Sequence, residues 1–274
     1  MPRKAARRMV RVALVKAMSA WGDVRGNMSL LEELARPLAG AKVDVLVTPE
    51  CFLDGYMVRD RKKCTVRKLA ARCVRGPGDP LVRRAGRLAA ELGCYMVLGA
   101  SEKNEEGVVR NAAYLLDRSG RSVGTYYKTF PDHYYEPGAD LPVFETDFAV
   151  VGIVICADRR WPENIRTLRL KGAEIILNPT WGWSGNGNTS IIRTRAYENG
   201  IPVCFTHPTQ SLICLPDAGI GAVLESNVPS VLVHDIDLAK NPKPLVNADK
   251  ASSHPVQNRR PELWGEITAD AQSR

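Results

Sequence analysis

Short runs of apolar, often β-branched residues recur along this chain and alternate with amphipathic, helix-like stretches. This alternation limits the possible folds more than any other feature, because it is typical of layered α/β proteins whose sheets and helices bury apolar faces against each other. In the first half of the chain we predict strands at 10–17 ("VRVALVKA"), 43–50 ("VDVLVTPE") and 94–102 ("CYMVLGASE").

The helices of the first half are predicted from their end signals. The stretch 27–40 ("NMSLLEELARPLAG") is expected to begin at an Asn cap and to end at Gly, and the stretch 79–93 has an Asp cap, Pro in its first turn and a terminal Gly. Residues 110–129 follow as a hairpin that turns at Ser119–Gly120.

The second half repeats the same rhythm. We predict strands at 148–156, 173–180 and 201–207, helices at 161–172 and 189–200, and a last strand pair formed by 219–226 and 229–238.

The length of 274 residues, 45% of them hydrophobic, suits one domain over 1–274 with a sizeable core. We expect a basic tail at 1–8 and an irregular segment at about 241–274 that packs over a surface or a partner subunit. No apolar run reaches the ~18 to 20 residues of a membrane helix, and no clear cleavage site follows the basic start. These features predict a cytoplasmic protein without a membrane partner.

Cysteine usage and charge exclude other classes. The seven cysteines are odd in number and several lie in apolar runs, so a disulfide framework is not expected; the absence of C-x-x-C and H-x-x-x-H pairs predicts no metal site. Much of the +8 net charge lies at 2–8 and 59–68 without interleaved aromatic residues. We therefore expect no specific nucleic-acid partner, whereas a small acidic substrate is compatible with the charge.

Three predicted strand or hairpin ends carry reactive side chains, namely Glu50, Lys128 and Cys156. Each alone has an ordinary explanation, since a Cys after an apolar run usually packs in a core and Lys or Glu usually faces water. Together they form a chemically complete set, because a thiol nucleophile needs a base and a positive group to hold the anion formed on a carbonyl.

The segments around these residues resemble the motifs of the nitrilase (carbon-nitrogen hydrolase) superfamily. The stretch "TPECFLDGY" (48–56) is similar to its glutamate motif, "YYKTF" (126–130) to its lysine motif and "CADRRWPE" (156–163) to its cysteine motif. Later segments follow in the family's order, so the resemblance covers about residues 10–265: "GAEIILNPT", "RTRAYENGIPV", "SLICLPDAG", "HDIDL" and "RRPELWG".

The resemblance implies an α/β fold of the four-layer αββα sandwich type, no cofactor, and a homodimer or higher homo-oligomer. It also implies that Cys156 attacks the substrate, that Glu50 is the general base, and that Lys128 stabilises the oxyanion. The backbone N–H of Ala157 is the expected second oxyanion donor.

Two further residues are assigned by the same resemblance. Glu136, in "YYEPG", matches a fourth acidic residue that orients the lysine and the substrate amide; the alternative is an ordinary turn acid before Pro137. Tyr56 is expected to line the pocket or, alternatively, only to pack in the core.

The residues after the cysteine favour an amide over a nitrile, because true nitrilases typically carry Trp-Glu where this chain has Ala157-Asp158. "ICADRRWPE" is similar to the motif of N-carbamoyl-D-amino acid hydrolases, in which two arginines hold the substrate carboxylate. Arg159 and Arg160 are therefore candidate carboxylate ligands, and a guanidinium can make two hydrogen bonds to one carboxylate. The alternative is that Arg159 pairs with an internal acid such as Asp158 or Glu163, and that Arg160 faces solvent.

Departures from the carbamoylase pattern leave the substrate open. Phe130 stands where that group has a histidine, Ala157 where it has Asn, and the loop after 178 carries Trp181 and Trp183. Trp181 is a candidate wall for the acyl group of the substrate, or simply an interface residue.

The sequence thus predicts a cofactor-free cysteine amidohydrolase acting on a small linear amide or N-carbamoyl compound, such as an N-carbamoyl amino acid, through a thioester. Two alternatives remain: nitrile hydrolysis by the same three residues, and a catalytically silent ligand-binding or assembly protein on the same fold.

Overall fold

A computed structural model describes residues 8–242, 255–256 and 259–268. The strands are β1 (Met9–Lys16), β2 (Val45–Val47), β3 (Tyr95–Lys103), β4 (Val109–Leu116), β5 (Ser122–Tyr127), β6 (Val143–Glu145), β7 (Val150–Ile153), β8 (Ile175–Pro179), β9 (Val203–Thr206), β10 (Gln210–Cys214), β11 (Ile220–Glu225) and β12 (Ser230–Asp237). The helices are α1 (Val24–Ala35), α2 (Val66–Ala70), α3 (Pro80–Leu92), α4 (Pro162–Leu170), α5 (Asn186–Asn199) and α6 (Gly265–Thr268).

The strands form two sheets with matching organisation. One has the order β12-β1-β2-β3-β4-β5 and the other β11-β10-β9-β8-β7-β6. In each sheet three central strands are parallel, β1-β2-β3 and β7-β8-β9, and the outer strands pair antiparallel. The carboxyl ends of three neighbouring strands therefore meet at one edge of each sheet, where α/β proteins commonly place a site.

Alternate residues of the strands face different layers. In β1, Val12 and Leu14 belong to the core between the two sheets, whereas Ala13 and Val15 pack with residues of α1 and α3. On the outer face of the second sheet, residues of α4 and α5 such as Ile165 pack over strand residues. The layers are thus helix, sheet, sheet and helix, and the predicted αββα sandwich is confirmed.

The predicted pairing of the last two strands is wrong. β11 pairs with β10, whereas β12 pairs with β1 in the other sheet. The connection between them crosses the sandwich, and the buried ammonium of Lys16 holds it by donating to the carbonyl oxygens of Ser226 (2.8 Å) and Val228 (2.5 Å). Local patterning predicts that a segment is extended, but packing decides its partner.

The two helices of the first half differ in how well their ends were predicted. α3 begins after its Asp79 cap, which accepts from Leu81 N–H, and ends at Gly93 with φ +64°, as expected. α1 begins earlier than predicted, because Asp23 is the cap and accepts from Gly26 N–H at 2.9 Å. Asn27 is instead buried inside the helix, where its amide bonds the backbone of Ala20.

The ends of the chain are only partly described. Residues 1–7 of the predicted basic tail lie outside the described residues, and so do 243–254, 257–258 and 269–274 of the predicted irregular segment. Arg8 bonds Glu174 (2.8 Å), which ties the start of β1 to the second sheet. None of the helices within the described ranges has the length and apolarity needed to cross a membrane.

Gly99 of β3 allows the chain after β2 to cross close over the sheet. A Cβ at Gly99 would lie 2.3 Å from the carbonyl oxygen of Pro49 and 2.8 Å from the amide nitrogen of Cys51. Both contacts are to backbone, so the segment that carries Glu50 can approach only because this side chain is a hydrogen atom.

Gly99→Ala is therefore expected to lower the free energy of unfolding by about 1 to 3 kcal/mol, because the added methyl overpacks two backbone groups. Gly78→Ala is the matched control, since a Cβ there meets only the end of the Arg83 side chain at 3.6 Å. Chemical denaturation of both variants measures the difference. Equal stability of the two would contradict the close approach at Gly99.

Candidate active site

Glu50 and Lys128 meet in a buried ion pair. Glu50 follows β2 by three residues and Lys128 follows β5 directly, so both come from the first sheet. Lys128 Nζ lies 2.5 Å from Glu50 Oε1, and the side chains are 3% and 0% exposed. The structure thus brings together two of the three predicted reactive residues.

Further donors hold the Glu50 carboxylate in one orientation. Asn111 Nδ2 donates to Oε1 at 2.8 Å, and the backbone N–H of Trp181 donates to Oε2 at 2.9 Å. Lys128 N–H in turn donates to the Asn111 carbonyl at 2.9 Å. A carboxylate fixed by an ammonium, an amide and a backbone N–H is satisfied despite its burial.

The ammonium of Lys128 stays charged in this setting. Burial acts to lower the pKa of Lys128, but the neighbouring Glu50 carboxylate, with a smaller contribution from Cys156, outweighs it and raises the pKa above its ordinary value. Cys156 lies next to this pair, because the Trp181 N–H bonds Glu50 and a Cβ built on the adjoining Gly182 would lie 3.4 Å from Cys156 Sγ.

Cys156 opens a tight 3₁₀ turn, Cys156–Arg160, three residues after the end of β7. Its backbone φ is +48°, in the left-handed region that is costly for residues other than glycine. The side chain is 7% exposed. Gly182 faces it, because a Cβ built on Gly182 would lie 3.4 Å from Cys156 Sγ. Since Gly182 is exposed, the sulfur lies just beneath the surface.

Asp158 holds this turn. Its carboxylate accepts from the N–H groups of Ile155 (3.1 Å) and Phe130 (3.0 Å) and from the hydroxyl of Tyr126 (2.7 Å). Burial raises the pKa of Asp158, and the nearby Lys128 ammonium opposes that rise. Asp158 therefore links the cysteine turn to the segment that carries Lys128, and Ala157 lies half-buried between Cys156 and Asp158.

Arg159 is committed to contacts within the chain. Its side chain is 1% exposed, and its nitrogens donate to the Cys156 carbonyl, to Asn188 Oδ1 (2.6 Å) and to the Trp183 carbonyl (2.9 Å). The geometry favours the structural alternative over a carboxylate ligand. The suggested internal partners are wrong, however, because Arg159 bonds carbonyl and amide oxygens and neither Asp158 nor Glu163.

Arg160 is placed differently. It is exposed, and its guanidinium carbon lies 5.5 Å from the centre of the Trp183 ring. Arg59 stands in the same way over Trp181, at 4.6 Å. Cation–π contacts of this kind leave the N–H edge of a guanidinium accessible to an anion.

Tyr56 and Trp181 lie at the site. Their ring centres are 6.1 Å apart, and Lys128 Nζ lies 5.9 Å from the centre of the Tyr56 ring. The negative charge of Glu50, followed by burial, raises the pKa of Tyr56 far above its ordinary value, so the phenol stays protonated. These two rings are positioned to form an apolar wall beside the ion pair.

Glu136 lies in a segment that approaches Lys128, since the Gly138 N–H donates to the Lys128 carbonyl at 2.8 Å. The Glu136 side chain is exposed, and its backbone N–H donates to the Val109 carbonyl at 2.8 Å. Within the described residues no hydrogen bond or ion pair joins its carboxylate to Lys128, whose ammonium bonds Glu50. No contact of the Glu136 carboxylate therefore supports the predicted orienting role, and the alternative of an ordinary turn acid fits the geometry better.

Sequence reasoning missed Asn111 and His207. Asn111 is a buried polar residue among the buried apolar residues of β4, and His207 directly follows β9, much as Glu50 and Cys156 follow their strands. Either signal points to a site, since polar residues at such places need a partner. Within the described residues no three His, Cys, Asp or Glu side chains gather in a metal-binding arrangement.

A surface cavity of about 500 Å³ lies between the start of β1, the end of β12 and the turn after β10. Residues that line it include Met9, Leu215, His234 and Lys240. None of the residues that line it belongs to the Glu50–Lys128–Cys156 site, so its size has no bearing on the chemistry of those three residues.

Comparison with known proteins identifies the family of the chain. The profile of the carbon-nitrogen hydrolase family matches residues 11–240. The chain belongs to this family. A Pseudomonas protegens protein called "Hydrolase in pqqF 5'region" is 29% identical over 94% of this chain and 92% of its own length. The N-carbamoylputrescine amidase of Arabidopsis thaliana is 25% identical over 88% of this chain and 90% of its own.

A solved structure shares the fold of this chain. The crystal structure of an amidase from Nesterenkonia sp. matches with a TM-score of 0.75 at 21% identity, over 96% of this chain and 98% of that one. The profile match confirms the predicted superfamily, the structural match confirms the sandwich fold, and the protein is a carbon-nitrogen hydrolase.

Asn111→Ala is expected to lower kcat about 10- to 100-fold with little change in KM, because Glu50 loses one of the groups that orient it. Asn104→Ala is the matched control, since the Asn104 side chain bonds only the Val108 N–H, at 2.8 Å, in the turn before β4. Steady-state hydrolysis by both variants measures the effect. A kcat of Asn111→Ala equal to that of the control would contradict the orienting role.

Proposed function

We propose that the protein is a cysteine-dependent amidohydrolase that cleaves the C–N bond of a small linear amide or N-carbamoyl compound through a thioester. One observation carries the proposal: the buried Glu50–Lys128 pair lies beside Cys156, whose sulfur faces the exposed Gly182. This arrangement supplies a base, a cation and a nucleophile within reach of a small substrate.

The first step is attack on the substrate carbonyl. Glu50 removes the thiol proton of Cys156 as the sulfur bonds the carbonyl carbon, and the C=O electron pair moves to oxygen. The Lys128 ammonium stabilises this oxyanion, and the Ala157 N–H is the proposed second donor. Because Lys128 is buried and its raised pKa keeps it charged, its field acts at short range in a poorly solvated site.

The second step releases the amine. Protonated Glu50 returns its proton to the leaving nitrogen, the C–N bond breaks, and an acyl or carbamoyl thioester of Cys156 remains. Glu50 then removes a proton from water, which attacks the thioester and regenerates the thiol. An amide yields a carboxylic acid with ammonia or an amine. An N-carbamoyl compound yields its free amine together with ammonia and carbon dioxide, because the carbamate released from the thioester decomposes to these two.

Replacing a member of this set tests the mechanism. Cys156→Ala is expected to abolish hydrolysis while the protein stays folded, and Glu50→Gln and Lys128→Met are each expected to lower kcat by about 10²- to 10⁴-fold. An ammonia-release assay over linear amides, N-carbamoyl amino acids and nitriles measures the rates, with circular dichroism to verify folding.

Cys214→Ala is the control for the cysteine, because Cys214 is fully buried in β10 and belongs to the core of the second sheet. Full activity of Cys156→Ala would refute the mechanism. Hydrolysis of nitriles alone would favour the alternative in which the same residues act on a nitrile. A Cys156 that resists iodoacetamide at neutral pH, in a protein that hydrolyses none of these compounds, would favour a silent binding protein.

Arg160 is the better candidate for holding a substrate carboxylate. The donors of Arg159 are used inside the chain, whereas Arg160 is exposed beside Trp183, in the loop that carries Gly182. An exposed guanidinium next to the nucleophile suits an anionic group on a small substrate. An N-carbamoyl amino acid combines such a carboxylate with a cleavable carbamoyl group.

Arg160→Ala is therefore expected to reduce kcat/KM about 10- to 100-fold for a carboxylated substrate and little for its neutral amide counterpart, because one charge-assisted contact is lost. Arg159→Ala is expected to unfold more easily, since the Cys156 and Trp183 carbonyls lose their donor. Paired kinetics and melting curves check both. Equal losses on both substrates in Arg160→Ala would contradict carboxylate binding.

A homo-oligomeric state, a single domain and a cytoplasmic location stay predictions of the sequence. The cofactor-free character is part of the proposed mechanism, in which every proton transfer is assigned to Glu50.

A further inference from the structure

Three side chains hold the backbone of one short segment, Trp181–Trp183. The Trp181 N–H donates to Glu50 Oε2 at 2.9 Å. The Gly182 carbonyl bonds His207 Nε2 at 2.9 Å, and the Trp183 carbonyl accepts from Arg159 at 2.9 Å. Gly182 is the residue whose missing Cβ would face Cys156 Sγ at 3.4 Å. The segment that faces the nucleophile is therefore fixed at each of its residues, and two of the three anchors already belong to the site or its turn.

The hydrogen bonds of His207 define its tautomer. The Thr209 N–H donates to Nδ1 at 3.1 Å, so Nδ1 is an acceptor. Nε2 must then carry the proton and donate it to the Gly182 carbonyl. The ring is 7% exposed and lies parallel to that of Phe205, with centres 6.1 Å apart. A buried ring held on both sides presents one fixed donor to Gly182.

We infer that His207 is a positioning residue for hydrolysis: it sets Gly182 against Cys156 and, through the adjoining Trp181 N–H, keeps Glu50 aligned. This inference rests on the proposed function. His207 touches neither the substrate nor the reacting atoms in this role. It acts because Gly182 has no side chain and a Cβ there would meet the sulfur at 3.4 Å, so a shift of its carbonyl moves the surface that the nucleophile faces.

The charged groups that act on His207 are Arg159 and Glu50. Burial lowers the pKa of His207 first of all; its bonds to Gly182 and Trp181 oppose this, Arg159 lowers the pKa further, and Glu50 raises it. The net pKa is below the ordinary value, so the ring is neutral at neutral pH. Protonation would place a second N–H on Nδ1, directly against the Thr209 N–H.

Protonation of His207 lowers the stability of the folded protein. Because the folded-state pKa lies below the ordinary value of 6.5, the folded protein binds fewer protons at this site than the unfolded chain. The contribution of His207 to stability is complete above the unfolded-state pKa and is lost as the pH falls through the lowered, folded-state value. Repulsion between the new Nδ1 proton and the Thr209 N–H would displace the ring that holds the Gly182 carbonyl, and this displacement should also slow the reactions of Cys156 in the same pH range.

His207→Gln and His207→Phe separate positioning from packing. Glutamine retains an N–H donor, whereas phenylalanine keeps an aromatic ring at this position but has no donor. We expect His207→Gln to keep kcat within about threefold of wild type, and His207→Phe to lose about 10- to 100-fold in kcat with little change in KM. Melting curves give the folded fraction of each variant, to which kcat is normalised. If His207 only packed in the core, its replacement would lower the melting temperature and leave the kcat of the folded protein unchanged.

A second readout needs no substrate. The rate of Cys156 alkylation by iodoacetamide, followed on its own peptide by mass spectrometry, is measured for wild type and His207→Gln from about pH 8 down to the lowest pH at which both proteins stay folded. The ratio of the two rates cancels the titration of the thiol itself. We expect the ratio to fall at least about threefold toward the acid end, because only the wild type can protonate at position 207.

The outcomes are distinct. A ratio that stays constant within about twofold overturns the inference, even if His207→Phe fails to fold, and so does a folded His207→Phe with wild-type kcat. If the wild type hydrolyses no amide, carbamoyl compound or nitrile, the proposed function fails, and the alkylation ratio still decides whether His207 positions Cys156.

Discussion

The buried ion pair of Lys128 and Glu50 is the interaction on which the rest of the site depends. Removing both charges from water is expensive, and mutual attraction alone seldom compensates, so such a pair is weak evidence for stability. In this protein Asn111 and the Trp181 N–H satisfy the remaining carboxylate positions. The pair thus holds one carboxylate and one ammonium in fixed positions, and the surrounding chain must supply the remaining hydrogen bonds.

That demand explains several features of the surrounding chain. Gly99 lets the Glu50 segment lie close over β3, and Asp158 joins the cysteine turn to the end of β5 through Tyr126 and Phe130. The left-handed backbone at Cys156 adds strain at the nucleophile, which the surrounding hydrogen bonds must hold. Each feature costs some stability or sequence freedom, and each orients a reactive group.

The site also depends on the packing of the two sheets. Glu50, Asn111 and Lys128 come from the first sheet, whereas Cys156 and His207 follow strands of the second. The hydrogen bond from Trp181 to Glu50 spans 131 positions of the sequence and joins the two halves. Neither sheet alone contains the complete arrangement, so assembly of the site and burial of the central core are one event.

By itself, the sequence determined the secondary-structure elements and the residue types of the candidate reactive set. The Asp79 cap and the Gly93 terminus of α3 were predictable because each acts on its own first or last turn, and the strand-end pattern singled out Glu50, Lys128 and Cys156. Only the tertiary structure decided what these residues meet. The crossing of β11 and β12 into different sheets, the internal contacts of Arg159, the exposure of Glu136 and the bond from His207 to Gly182 all involve partners remote in sequence or a surface that folding creates. Local propensity carries no information about such partners, because they are selected by the packing of the two sheets.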